Sequence, residues 1–103
     1  MSNDLHSLTE LDRLIHEPAR LLIVTILSTV ESADFLFLQR ETELTKGNLS
    51  AHLSRLEEAG YITIEKEFIG KKPHTTISLT TQGRAAFREY KQSMQKVLDD
   101  LPD

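Results

Sequence analysis

Small, polar and basic side chains share one side of residues 46–59. At about 100° per residue, three leucines fall within a narrow arc of a helix here, namely Leu49, Leu53 and Leu56. Away from that arc lie the residues that could contact a ligand, which are Lys46, Asn48, Ser50, Ala51, Ser54 and Arg55. Asparagine, serine and arginine can hydrogen-bond to the edges of nucleobases, and lysine to phosphate oxygens. A solvated helix face without a ligand is the alternative interpretation.

A second group of candidate residues follows in the segment 70–74. Gly70 and Pro73 indicate a turn, and the side chains around it are Lys71, Lys72 and His74. The two lysines could bind phosphates or enter the minor groove of a duplex. They could instead protect an exposed strand edge from pairing with another chain, since lysine often serves that purpose.

The sequence lacks the residue patterns of catalysis and of metal binding. It contains no cysteine, which excludes disulfides, thiolate metal sites and cysteine nucleophiles together. It has no Gly-rich phosphate loop, no nucleophile elbow and no metalloprotease helix. The four histidines lack ligand spacing, and a hydrogen-bonded structural role is favoured for His52. We therefore expect no enzyme activity, no metal and no cofactor.

The charge of the chain is distributed unevenly. The net charge is −4, which disfavours strong general affinity for phosphate. Residues 1–39 carry six acidic and two basic side chains, whereas residues 40–75 carry six of each. Within the second stretch Lys66, Lys71, Lys72 and His74 lie together, with only Glu67 opposing them. A basic tip on an acidic body is compatible with nucleic-acid binding and predicts weak non-specific affinity.

Apolar spacing predicts the elements that position these residues. The pattern indicates a helix within residues 5–15 and a second helix that begins at Pro18, with an apolar stripe of Ala19, Leu22, Ile23, Ile26, Leu27 and Val30. A short helix is expected over residues 35–43, after a possible brief extended segment. Thr45 caps the helix 46–59, and Gly60 ends it. Alternating residues at 61–65 and 75–79 predict a hairpin that turns over residues 68–74, and a last helix runs to about residue 100.

The order of three helices, a hairpin and a final helix resembles the winged helix-turn-helix of MarR- and ArsR-type regulators. Residues 45–62 (TKGNLSAHLSRLEEAGYI) are similar to the recognition helix and first strand of that family. Residues 70–84 (GKKPHTTISLTTQGR) resemble the wing and the start of the last helix, and residues 16–21 (HEPARL) the first core helix. The resemblance implies a homodimer that reads a pseudo-palindromic DNA site. Without cysteine, thiol-based sensing is excluded, and whether an effector ligand exists stays open.

The predicted fold class is α+β, mainly α, with N- and C-terminal dimerisation helices around a winged helix-turn-helix. Residues 1–103 form a single domain, divided into an N-terminal helix (1–16), a winged-helix core (17–80) and a C-terminal helix (81–103). The apolar stripe of the last helix has heptad-like spacing and exceeds what one small core can bury. We therefore expect dimerisation through Leu8, Leu11, Ile15, Phe87, Tyr90, Met94, Val97 and Leu101.

The function expected from these features is that of a duplex-DNA-binding transcriptional regulator. The alternative is a protein-interaction module, which would expose apolar residues on the wing and on the outer face of residues 46–59. No apolar run approaches the roughly 20 residues that span a bilayer, and the first residues lack a signal-peptide pattern. We expect a complete cytoplasmic protein that does not bind membranes.

Overall fold

A computed structural model describes residues 4–103, and of Asp4 only the backbone. Across these residues a 3₁₀ helix, Asp4–Glu10, precedes the helices α1 (Pro18–Leu27), α2 (Phe35–Thr42), α3 (Lys46–Glu58) and α4 (Thr81–Asp100). The strands are β1 (Ala33–Asp34), β2 (Ile62–Ile69) and β3 (Lys72–Leu79). The predicted fold class, a mainly helical winged helix-turn-helix, is confirmed.

Each α-helix begins at a side chain that accepts a hydrogen bond from a backbone N–H of the first turn. These caps satisfy donors that have no partner inside the helix. The capping residues and the N–H groups they accept from are Glu17 with Arg20, Asp34 with Leu36, Thr45 with Asn48, and Thr80 with Gly83. The cap predicted at Thr45 is therefore confirmed.

The three strands form one antiparallel sheet in the order β1-β3-β2. Ile69 pairs with Lys72, so only Gly70 and Lys71 lie in the hairpin turn. The turn lies within the predicted residues 68–74 but is shorter, because both strands continue further than predicted. Gly70 has φ 66°, as the first position of a type II′ turn requires. Pro73 pairs with Phe68, one step from the turn, where antiparallel alternation places a pair without ladder hydrogen bonds. The missing N–H of proline therefore costs no bond to β2.

The core lies between the helices α1 to α3 and the inner face of the sheet. Its completely buried side chains include Ile23, Val24, Leu27, Leu38, Leu49, Leu56 and Ile77. Leu22, predicted to belong to the α1 stripe, is instead 41% exposed. The buried side of α1 is centred on Ile23 and Leu27, and Leu22 lies beside it, about 100° from Ile23.

The helix predicted over residues 5–15 is wrong beyond Glu10, where the 3₁₀ helix ends. The Asp12 side chain accepts hydrogen bonds from the backbone N–H groups of Leu14 (2.9 Å) and Ile15 (3.1 Å), which replaces helical bonding with a turn. The Tyr61 hydroxyl donates to the other oxygen of Asp12. Burial, followed by this hydrogen bond, raises the pKa of Tyr61 to about 12.

The residues predicted to form the dimer interface differ in how far the chain itself buries them. The chain itself buries five of them against the core or the 3₁₀ segment, namely Leu11, Ile15, Phe87, Tyr90 and Val97. Met94 is half-buried, and Leu8 and Leu101 are exposed. A single chain thus buries more of the predicted interface residues than the sequence suggested. The molecule is elongated, at 62 × 25 × 21 Å. Over residues 4–103, no helix is both long and apolar enough to cross a membrane.

Candidate nucleic-acid interface

The helix α3 is held firmly in one orientation. Leu49, Leu53 and Leu56 are at most 2% exposed. At the C-terminus, Gly60 has φ 81°, its N–H donates to the Glu57 carbonyl (2.9 Å), and the Tyr61 N–H donates to the Leu56 carbonyl (3.0 Å). This pair of bonds is a Schellman motif, and it leads the chain directly into β2. The C-cap predicted at Gly60 is confirmed.

The outer face of α3 carries all six residues predicted there. The exposed side chains are Lys46, Asn48, Ser50, Ala51, Ser54 and Arg55. Gly47 faces open space, since a Cβ added there would have no atom within 4 Å. A polar helix face with small residues at its N-terminal end can enter a major groove and approach the base edges closely.

A groove of about 750 Å³ separates α3 from the hairpin of β2 and β3, which we call the wing. Lys46, Ser50 and Ser54 line it on the α3 side, and Ile64, Lys66 and Thr75 on the wing side. Lys66 was grouped with the basic tip in the sequence, but its position in the groove was missed. The signal was the alternation of Ile62, Ile64 and Lys66, which places all three on one face of β2.

The structure separates the three residues predicted on the wing. Lys71 lies in the turn and Lys72 beside it, and both are exposed. His74 lies nearer the base of the wing, and its Nδ1 is 3.3 Å from the Asp34 carboxylate. Burial alone would raise the pKa of Asp34, but the hydrogen bonds from the Leu36 N–H and from His74 outweigh it and leave the pKa below 3.8. His74 therefore ties the wing to the N-terminus of α2.

A buried arginine connects α3 to the N-terminal segment. The Arg20 side chain, 8% exposed, donates from Nε to the Leu14 carbonyl (2.6 Å). Arg20 Nη1 donates to His52 Nδ1 (3.1 Å). Glu17 Oε1 lies 4.0 Å from this histidine nitrogen. The hydrogen-bonded role predicted for His52 is confirmed. No cluster of three or more metal-ligating side chains is found among the residues described.

An exposed polar helix beside a lysine-tipped hairpin, on a core of three helices, defines a winged-helix DNA-binding domain. Residues 19–98 match the family model for the winged helix DNA-binding domain, and the chain belongs to that family. A relative, the uncharacterized protein MJ0432 of Methanocaldococcus jannaschii, is 35% identical over 78 residues, which cover 76% of this chain and 85% of the relative.

Solved structures have the same fold. A transcriptional regulator homologue from Pyrococcus horikoshii OT3 superimposes with a TM-score of 0.86 at 30% identity, over 93% of this chain and 99% of its own. Diamide-treated YodB from B. subtilis gives 0.73 at 19% identity, over 88% of each chain. The resemblance to MarR-like winged-helix regulators is confirmed, and the chain contains a winged-helix DNA-binding domain.

Proposed function

We propose that this chain is a sequence-specific transcriptional regulator that binds duplex DNA as a homodimer. The observation that carries the proposal is the exposed polar face of α3, fixed beside a basic wing across a groove. In helix-turn-helix complexes the recognition helix reads base edges in the major groove, and lysines beside it can neutralise backbone phosphates. We therefore assign sequence choice to α3 and general affinity to the wing.

On α3 we assign base contacts to Asn48, Ser50, Ser54 and Arg55. Asn48 lies in the first turn, where it suits bidentate pairing with adenine. Arg55 lies about two turns further on and can reach guanine or a phosphate. Lys46, at the first position of α3, lines the groove and suits a phosphate, and Ala51 allows close approach of the backbone.

On the wing we assign phosphate contacts to Lys71 and Lys72. Both lie at the tip and are exposed, so they can reach a duplex that lies along α3. His74 was predicted to join them. Because its ring already faces Asp34, we assign it the role of holding the wing rather than DNA.

The homodimer is proposed from the apolar surface that the chain leaves uncovered. Leu8, Leu98 and Leu101 are each 45–55% exposed, and they belong to the 3₁₀ helix and the end of α4. The radius of gyration is 15.7 Å, against about 13 Å for a compact chain of this length. A second copy that packs on this surface would bury the three leucines and pair two recognition helices for half-sites one DNA turn apart.

The decisive experiment is selection of bound sequences from random duplex DNA. We expect an inverted repeat, together with a mass by light scattering of about twice 11.7 kDa at micromolar concentration. Recovery of no preferred sequence would contradict the base-reading role of α3. A mass near that of one chain would contradict the homodimer.

A protein-interaction module is retained as the second candidate function, because one observation favours it. The wing exposes Phe68 (75%) and Ile69 (60%), and α2 exposes Leu36 (68%), whereas the sequence suggested a wing with polar and basic residues only. Salt-sensitive retention on duplex DNA separates the two candidates. A DNA-binding regulator is retained and elutes as salt rises, whereas a module without affinity for DNA passes through.

A further inference from the structure

The wing tip carries two adjacent large apolar side chains in a strongly polar setting. Phe68 and Ile69 are among the most exposed apolar side chains of the described chain. An exposed aromatic side chain near lysines is suited to nucleic-acid contact, because it can insert between or stack on bases. Because they are neighbours on one strand, their side chains point to opposite faces of the wing.

The two faces of the wing differ in charge. Phe68 shares its face with Ile64 and Lys66 of β2, and this face looks across the groove towards α3. Ile69 shares the other face with Glu65 and Glu67 of β2 and, across the ladder, with Lys72 and His74 of β3. The groove face thus combines an aromatic ring with one lysine. The opposite face sets two carboxylates against Lys72 and a histidine that already faces Asp34.

We propose that Phe68 is an apolar wedge that enters the DNA minor groove beside the recognition helix, and that Ile69 stays outside it. The proposal rests on the function proposed above, since it requires a duplex bound along α3. Lys66 on the same face and Lys71 in the turn would bind the phosphates that flank the groove. Beyond Lys72, which lies next to the turn, the two carboxylates disfavour contact between phosphates and the Ile69 face.

An apolar wedge predicts a specific preference for the base step under the wing. An apolar side chain inserted at a base step partly unstacks it, and pyrimidine–purine steps yield most easily. A wing that inserts only lysine would prefer A-tracts instead, since their narrow minor groove has the more negative potential. The base steps under the wing therefore reveal which side chain enters the groove.

Two single variants at adjacent exposed positions test the proposal. Phe68→Ala should weaken binding to the duplex selected by the unmodified protein about 5- to 100-fold, the range measured for loss of base–aromatic stacking. It should also remove the preference for a pyrimidine–purine step at the wing in a repeated selection. The matched control, Ile69→Ala, removes an apolar side chain one residue away and should change neither result.

A fluorescent reporter distinguishes direct contact from an indirect effect. The chain contains no tryptophan, so Phe68→Trp and Ile69→Trp each introduce one emitter. Quenching by the selected duplex is expected for Phe68→Trp only. Equal effects in both positions, or unchanged affinity and base steps in Phe68→Ala, would overturn the wedge. If the unmodified protein selects no duplex, the proposed function fails instead.

Discussion

The recognition helix α3 and the wing form the two walls of one groove, yet one is anchored in the core and the other is largely exposed. The helix has a cap at each end, three buried leucines and a tie to buried Arg20 through His52. From Glu65 to Pro73 the wing is exposed throughout, and its hairpin ladder and the contact between His74 and Asp34 hold it in place.

The difference matches the work that each wall has to do. Hydrogen bonds to base edges are directional, so α3 must keep its side chains in one position relative to the rest of the molecule. Attraction between lysine and phosphate tolerates displacement, so the wing needs reach and charge more than rigidity. Substitutions should therefore separate stability from affinity along the same groove.

The largest effect is expected inside α3. Leu53→Ala leaves a cavity in the core and should lower the free energy of unfolding by about 2–5 kcal/mol. Leu36→Ala, on the exposed face of α2, serves as the matched control and should change it by less than about 0.5 kcal/mol. Urea unfolding followed by circular dichroism measures both. Equal losses would mean that α3 is no better anchored than the surface.

The next effect concerns base reading rather than folding. Asn48→Ala should weaken binding to the selected site by about 1–3 kcal/mol and relax the preference at one position, with stability unchanged. Gln92→Ala removes an exposed amide from α4 and provides the control. An unaltered consensus and affinity in the Asn48 variant would move the reading surface elsewhere.

The wing lysines should act without regard to sequence. Changing Lys71 and Lys72 to alanine together should weaken binding to all duplexes similarly and reduce the salt slope by about one unit per lost contact. The control removes two exposed lysines of α4, Lys91 and Lys96, and keeps the total charge change the same. If both pairs reduce the slope equally, net charge rather than the wing accounts for it.

The sequence predicted the capped elements well, because their signals are local. Thr45 and Gly60 marked both ends of α3, and Pro18 marked the start of α1. The N-terminal segment was misassigned because Asp12 bonds its own backbone at a point where apolar spacing alone suggested a continued helix. The hydrogen bonds from this backbone to the Asp12 side chain favour a turn more strongly than the apolar spacing favours a helix.

The candidate site was predictable in part. The residues on the outer face of α3 were predicted from helical angles, and the structure exposes all six of them. The groove position of Lys66 was also readable, from the alternation along β2, but the removal of His74 from the tip was not. It depends on Asp34, which is 40 residues distant in sequence. Such pairing across the fold leaves no mark in a local pattern.

The smallest effect is expected at the base of the wing, where a half-exposed carboxylate faces a histidine. Asp34→Asn keeps the cap of α2, since asparagine caps as well as aspartate, but removes the charge facing His74. The hydrogen bonds to Asp34 lower its pKa in the folded protein below the ordinary value of 3.8. The charged carboxylate therefore stabilises the fold above that pH, and this stabilisation is lost as the pH falls through the folded pKa. Because the pair is half-exposed, the free energy of unfolding of the variant should be lower by less than about 1 kcal/mol near neutral pH.

Urea unfolding of both proteins from roughly pH 7 to roughly pH 3 should show this difference in stability closing on the acid side. A gap that stays constant would assign the loss to the geometry of the cap, and the tie between wing and α2 would then owe nothing to charge.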